Sequence, residues 1–128
     1  MCKTSKGFTL VEFLVAIVIL MVGLLGLLQS INVALHHNLA NQIRNEAVVL
    51  GDQEMATELG KGYDLVSTTT RLYPAVQRTV MQGFKSYSVV RTGTAFSNSK
   101  EVMFTISWRD RGSRYEHTTS SVISKTNQ

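Results

Sequence analysis

From Phe13 to Leu28 the sequence carries no charged side chain, and this run limits what the chain can become. Extended back to Phe8 it reaches about 21 residues, and a helix of that length covers about 31 Å. The hydrocarbon core of a bilayer is about 30 Å thick. No proline interrupts the run, so no backbone donor is lost inside it. The reading is a membrane-spanning helix. A short polar segment, Met1 to Gly7, precedes it, and Lys3 and Lys6 hold that segment on the cytoplasmic side. An ordinary secretory signal fits less well. Its apolar stretch is about 7–15 residues and ends in small residues at the cut, whereas this run is longer and no Ala-x-Ala follows it.

One residue breaks the pattern. Glu12 lies four residues beyond Phe8, beside the apolar run. A charge deep in a bilayer costs several kcal/mol, so an acidic residue there implies a function and a partner. The plain alternative is a carboxylate that snorkels to water at the start of the helix.

The stretch Lys6-Gly7-Phe8-Thr9-Leu10-Val11-Glu12, followed by an apolar helix, resembles the class III signal of type IV pilins and type II secretion pseudopilins. The resemblance implies that a prepilin peptidase cuts between Gly7 and Phe8 and methylates the new N-terminal Phe8. It also implies that Glu12 serves assembly by pairing with the methylated, positively charged amine of Phe8 on a neighbouring subunit. Such a pair offsets part of the desolvation cost and fixes the axial register of the subunits. The paired glycines Gly23 and Gly26, in Gly-Leu-Leu-Gly-Leu, are similar to those of PilV-type minor pilins. Each lowers helix propensity by about 1 kcal/mol relative to Ala, and each lets another backbone come close. Two readings stay open for them: points where the helix stretches or unwinds in a filament, or glycines merely tolerated in a membrane helix. The resemblance is dense over residues 6–28 and sparse beyond.

Taken together, the resemblance implies a minor pilin that helps initiate or modify assembly of the type IV pilus. It would be held in the bacterial inner membrane by a single pass and then built into the filament, among other major and minor pilin subunits. The rival within the same chemistry is a minor pseudopilin of a type II secretion system. A rival of another class is a ligand- or DNA-binding module at the pilus tip. The expected division is a leader over 1–7, a transmembrane and assembly half of the helix over 8–28, an amphipathic half over 29–59 and a small β domain over 60–128.

Charge and cysteine usage fit this frame. The net charge is +4, from 13 basic and 9 acidic residues, and loss of Lys3 and Lys6 with the leader would leave a mildly basic chain. The basic residues are scattered along the sequence rather than massed, so no nucleic-acid footprint is expected. Cys2 is the only cysteine and lies in the leader. The mature chain would then have no disulfide, a departure from many pilins, and its exported part must rely on a small core.

From Gln29 to Leu59 apolar residues recur at helical spacing: Ile31, Leu35, Leu39, Ile43, Ala47, Leu50 and Leu59, with Met55 near the same face. Gly60-Lys61-Gly62 supplies a stop, because glycine takes the left-handed cap. The segment Tyr63 to Gly83 reads poorly. Ser67 to Thr70 is loop-like, and Pro74 opens either a short helix to Met81 or a strand. Beyond it strands are expected over residues 84–91, 101–109 and 115–124, with Thr92 to Lys100 as a connection and Asp110-Arg111-Gly112-Ser113 as a tight turn. The middle strand alternates most clearly, with Val102, Phe104, Ile106 and Trp108 on one face. Its sequence, running to Trp108 ahead of a Gly-containing turn, also resembles the last hairpin of PilV-type pilins. The expected fold class is α+β and pilin-like: one long N-terminal helix packed on a small antiparallel sheet.

No catalytic pattern emerges, so the chain reads as a substrate of enzymes, with no small-molecule substrate or cofactor of its own. No Ser lies in Gly-x-Ser-x-Gly, and no Gly-rich phosphate loop is present. His36 and His37 are adjacent and point about 100° apart on a helix, too far for chelation; with His117 they lack the ligands to complete a metal site. Phe104, Trp108 and Tyr115 could form a ligand surface, but alternation assigns Phe104 and Trp108 to the core.

Overall fold

A computed structural model describes residues 7–81 and 83–125. The leader residues Met1 to Lys6, including Cys2, Lys3 and Lys6, lie outside the described residues. One helix, α1 (Leu10–Leu59), is followed by four strands: β1 (Arg71–Val80), β2 (Gly83–Ala95), β3 (Ser99–Asp110) and β4 (Ser113–Ser124). They form one antiparallel sheet in the order β1-β2-β3-β4. The fold is therefore α+β in a pilin-like arrangement: one long N-terminal helix whose residues from Ile43 onward pack on an antiparallel sheet. The chain divides into two compact units, Met1–Asn38 and Leu39–Gln128.

The described part of the first unit is helical from Leu10 onward, and none of its side chains is buried. Its apolar stretch is long enough to cross a membrane, and an apolar surface exposed all round is what a lipid-facing segment presents.

In the second unit the helix residues Ile43, Ala47, Leu50 and Met55 are buried against Tyr87, Val89, Val102, Phe104, Ile106 and Trp108 of the sheet. Strand alternation sends these sheet residues to one face. The expected set on β3 is thus the core: Val102 and Ile106 are fully enclosed, Phe104 is 2% exposed and Trp108 6%. Burial of Phe104 and Trp108 removes the ligand-surface reading for both, although Tyr115 stays exposed. The Tyr87 hydroxyl donates to the Ile43 carbonyl at 2.9 Å. Burial, with the charge of Glu46 adding to it, pushes its pKa up to about 12, so the hydroxyl stays a donor. On the helix, the apolar stripe is covered only from Ile43 onward; Ile31 and Leu35 are exposed and Leu39 is at the margin. The helix stops at Leu59, and Gly62 takes a φ of 80°, as the Gly-Lys-Gly stop implies.

The sheet settles one open reading and differs from expectation in one place. The segment opened by Pro74 is not a helix but the strand β1, in register with β2 except for a bulge between Tyr73 and Val76. Proline is tolerated there because β1 is an edge strand and Pro74 lies in the bulge, where no ladder bond is lost. The connection expected over Thr92 to Lys100 shrinks to residues 96–98, because β2 runs on to Ala95 and β3 begins at Ser99. The Phe96 amide donates to the Ser99 carbonyl at 2.8 Å and closes that hairpin. The β3–β4 turn is tight as expected, with Arg111 and Gly112 both at positive φ, the geometry favoured between twisted strands.

Gly93 marks a close approach. A Cβ there would lie 2.7 Å from the Thr68 Cα and 3.1 Å from the Glu101 carbonyl oxygen, and backbone atoms yield little. Replacing a strand glycine by alanine ordinarily helps, since glycine loses more conformational freedom on folding. Here Gly93→Ala should instead destabilise by about 1–3 kcal/mol, the usual penalty for overpacking. A lower denaturation midpoint than wild type is the check; an unchanged or raised midpoint would mean the segment around Thr68 moves freely off the sheet.

Candidate functional site

The start of α1 is built by Thr9. Residues 7–9 are not helical and the helix begins at Leu10, which makes Thr9 the capping residue. Its Oγ1 accepts the Glu12 amide at 3.3 Å, and its carbonyl accepts the Phe13 amide at 3.2 Å. Thr-x-x-Glu is the spacing of a capping box, a signal present in Thr9-Leu10-Val11-Glu12 that the sequence reading passed over. Glu12 therefore stands in the first turn, where the helix dipole favours a negative charge.

Phe8 is 78% exposed and Glu12 is also exposed. Among the described residues no cation lies within ion-pair distance of the Glu12 carboxylate. Gly7 and Phe8 lie outside regular secondary structure just ahead of the helix. The helix continues unbroken through Gly23 and Gly26, and a Cβ added at either would meet nothing within 4 Å. The structure thus brings Gly7, Phe8 and Glu12 together at one helix end and leaves Gly23 and Gly26 on the open helix beyond. What the arrangement offers chemically is an exposed carboxylate at the start of an apolar helix, without a cation beside it among the described residues.

A second polar cluster went unread in the sequence. Glu58, 4% exposed, sits in the last turn of α1. Its carboxylate meets the Arg91 guanidinium at 3.0 Å, accepts the Ser67 amide at 3.1 Å and pairs with Lys61. Arg91 also donates to the Thr69 carbonyl at 3.2 Å, while its Nε is buried and, among the described residues, without a partner. Burial alone would raise the Glu58 carboxyl. The hydrogen bonds from Lys61 and the Ser67 amide, with the charges of Arg91 and Lys61, outweigh that and hold it below the usual carboxylate range. Lys100 adds bonds to the Tyr63 and Val66 carbonyls at 2.7 and 3.0 Å. These contacts tie the segment between α1 and β1 to the sheet, a structural role.

His36 and His37 are exposed on α1, and His117 is half-buried on β4 opposite Ile106. Among the described residues no group of three His, Cys, Asp or Glu side chains is placed to hold a metal ion.

Residues 2–28 match the family described as the prokaryotic N-terminal methylation motif. That match supports a type IV pilin-like protein, pilin or pseudopilin, and the motif is that of structural rather than catalytic proteins. It implies processing by a prepilin peptidase and assembly with other pilins, and with the apolar helix it fits anchoring in the inner membrane. No curated protein and no solved structure matches the chain.

Proposed function

We propose that the chain is a minor pilin of the type IV pilus, of the PilV type, that helps initiate or modify pilus assembly. It is made as a prepilin, cleaved between Gly7 and Phe8 by the prepilin peptidase, methylated on Phe8 and built into the filament with other major and minor pilins. Residues 1–7 are the leader, 8–28 the membrane and assembly half of the helix, 29–59 its amphipathic half, and 60–128 the exported β domain. Gly23 and Gly26 let the helix stretch where subunits pack. The observation that carries this reading is Glu12. It is an exposed carboxylate at the first turn of an apolar helix, four residues past the expected cut, without a cation beside it in its own chain among the described residues. The neighbouring subunit's methylated N-terminal amine supplies that cation.

Glu12→Gln tests the pairing, because it keeps the shape and polarity of the side chain and removes the charge. Insertion should be slightly easier, and intact mass should show normal cleavage to a chain starting at Phe8. The variant should nonetheless be lost from sheared pili, since the partner amine is left buried without an anion. A fully methylated variant that enters pili at the normal ratio would reduce Glu12 to an interfacial charge. In a type II secretion pseudopilin the same chemistry would serve a different filament. Absence of the wild-type protein from sheared pili, with loss of secretion on deletion, would favour that reading.

A further inference from the structure

The outer face of the sheet, turned away from α1, carries two arginines that the strand register brings side by side. Arg109 on β3 and Arg114 on β4 are direct cross-strand partners. Like charges placed opposite one another destabilise a sheet, and among the described residues neither has a carboxylate within ion-pair distance. Both line an open groove of about 500 Å³. Its floor is hydroxyl-bearing: Ser88 and Ser107 are direct partners across β2 and β3, and Ser86 lies on the same face one step along β2. Lys85 borders the groove, but alternation places it on the same face as Tyr87, where it pairs with Asp110 at 3.6 Å. Ala75 lines the groove from the β1 bulge and holds a φ of 60°, a conformation that an alanine adopts only under strain. Glu116 shares this face, opposite Ser107 and two residues from Arg114, and it does not line the groove.

We propose that this groove binds a phosphate group, held between the guanidinium groups of Arg109 and Arg114 with hydroxyl donors from the serines beneath. Two guanidinium forks close together suit the planar, bidentate recognition of phosphate oxygens. Serine hydroxyls satisfy the remaining lone pairs without adding charge. The bound phosphate would also relieve the repulsion between the two arginines. The aromatic neighbours Tyr87 and Trp108 belong to the core on the opposite face, so recognition rests on the phosphate itself rather than on stacking. This inference is independent of the assembly role given to Glu12.

The test is isothermal titration of the full chain in a non-ionic detergent, at constant ionic strength. One arm uses inorganic phosphate, the other a short abasic phosphodiester oligomer. Saturable binding in either arm is expected, weakened about tenfold or more by Arg109→Gln/Arg114→Gln, as befits charge-assisted hydrogen bonds. The control Arg44→Gln/Arg111→Gln removes the same charge outside the groove and should leave binding within about twofold, since scattered exposed charges are screened. Tighter binding of the oligomer assigns the site to a polymer-borne phosphate, and equal or tighter binding of inorganic phosphate assigns it to the free ion. Absence of saturation in both arms, binding that survives the groove variant, or equal loss in the control would overturn the proposal.

Discussion

Trp108→Ala is expected to cost the sheet-bearing unit about 3–5 kcal/mol, the usual penalty for emptying a buried aromatic site. That is comparable to the whole stability of a small domain, so the variant should be largely unfolded at 37 °C. The side chain is only 6% exposed and sits between two tyrosines, with ring centroids 6.0 Å from Tyr87 and 5.9 Å from Tyr115. Such aromatic pairs add to what area burial alone provides. No disulfide can compensate, because the single cysteine is Cys2. Denaturant unfolding of a soluble fragment beginning near Gln29 reads the effect directly. A midpoint matching wild type would place Trp108 outside the core and return it to the surface as a binding residue.

The legibility of the fold followed the regularity of its patterns. β3 was plain because Val102, Phe104, Ile106 and Trp108 alternate without interruption, and all four are buried. β1 was obscure for the opposite reason: the bulge between Tyr73 and Val76 shifts the phase of the alternation, and Pro74 lies inside it. The expected loop from Thr92 to Lys100 was misjudged by composition. Gly93 belongs to β2, where its lack of a side chain admits Thr68, so a glycine inside the expected connection serves a packing contact. On the helix, periodicity marked an apolar stripe from Ile31 but not where its cover begins, since Ile31 and Ile43 look alike in sequence and only the second is buried. At the candidate site, Gly7, Phe8 and Glu12 stood out through the resemblance of Lys6 to Glu12 to a pilin signal, whereas the cap formed by Thr9 needed geometry to be noticed. The arginines of the outer groove were invisible for a related reason. Arg109 and Arg114 face each other only because the turn between them sets the register.

Glu58→Gln is expected to destabilise the same unit by about 3–5 kcal/mol, because it strands the buried Arg91 charge. Arg91 is only 5% exposed, so little of its guanidinium reaches solvent once Glu58 is neutral. Glutamine still offers an oxygen to the Ser67 amide, which makes the charge, not the hydrogen bond, the missing part. Lys61 contributes less, being substantially exposed and screened by solvent. The double variant Glu58→Leu/Arg91→Met removes both charges and should recover much of the loss, as apolar replacements of buried pairs do. The pH dependence has a definite sign. The folded Glu58 carboxyl is held below its unfolded value, so as pH falls the unfolded chain takes up the proton first. The stability this residue contributes is complete above the unfolded pKa of about 4.3 and is lost as pH falls through the lower folded value. Denaturation midpoints followed from neutral to acid pH should therefore drop for wild type, and the part of that drop due to Glu58 should vanish in Glu58→Gln. Parallel acid profiles for the two proteins, or a double variant no more stable than Glu58→Gln, would show that the segment between α1 and β1 is held to the sheet by packing alone.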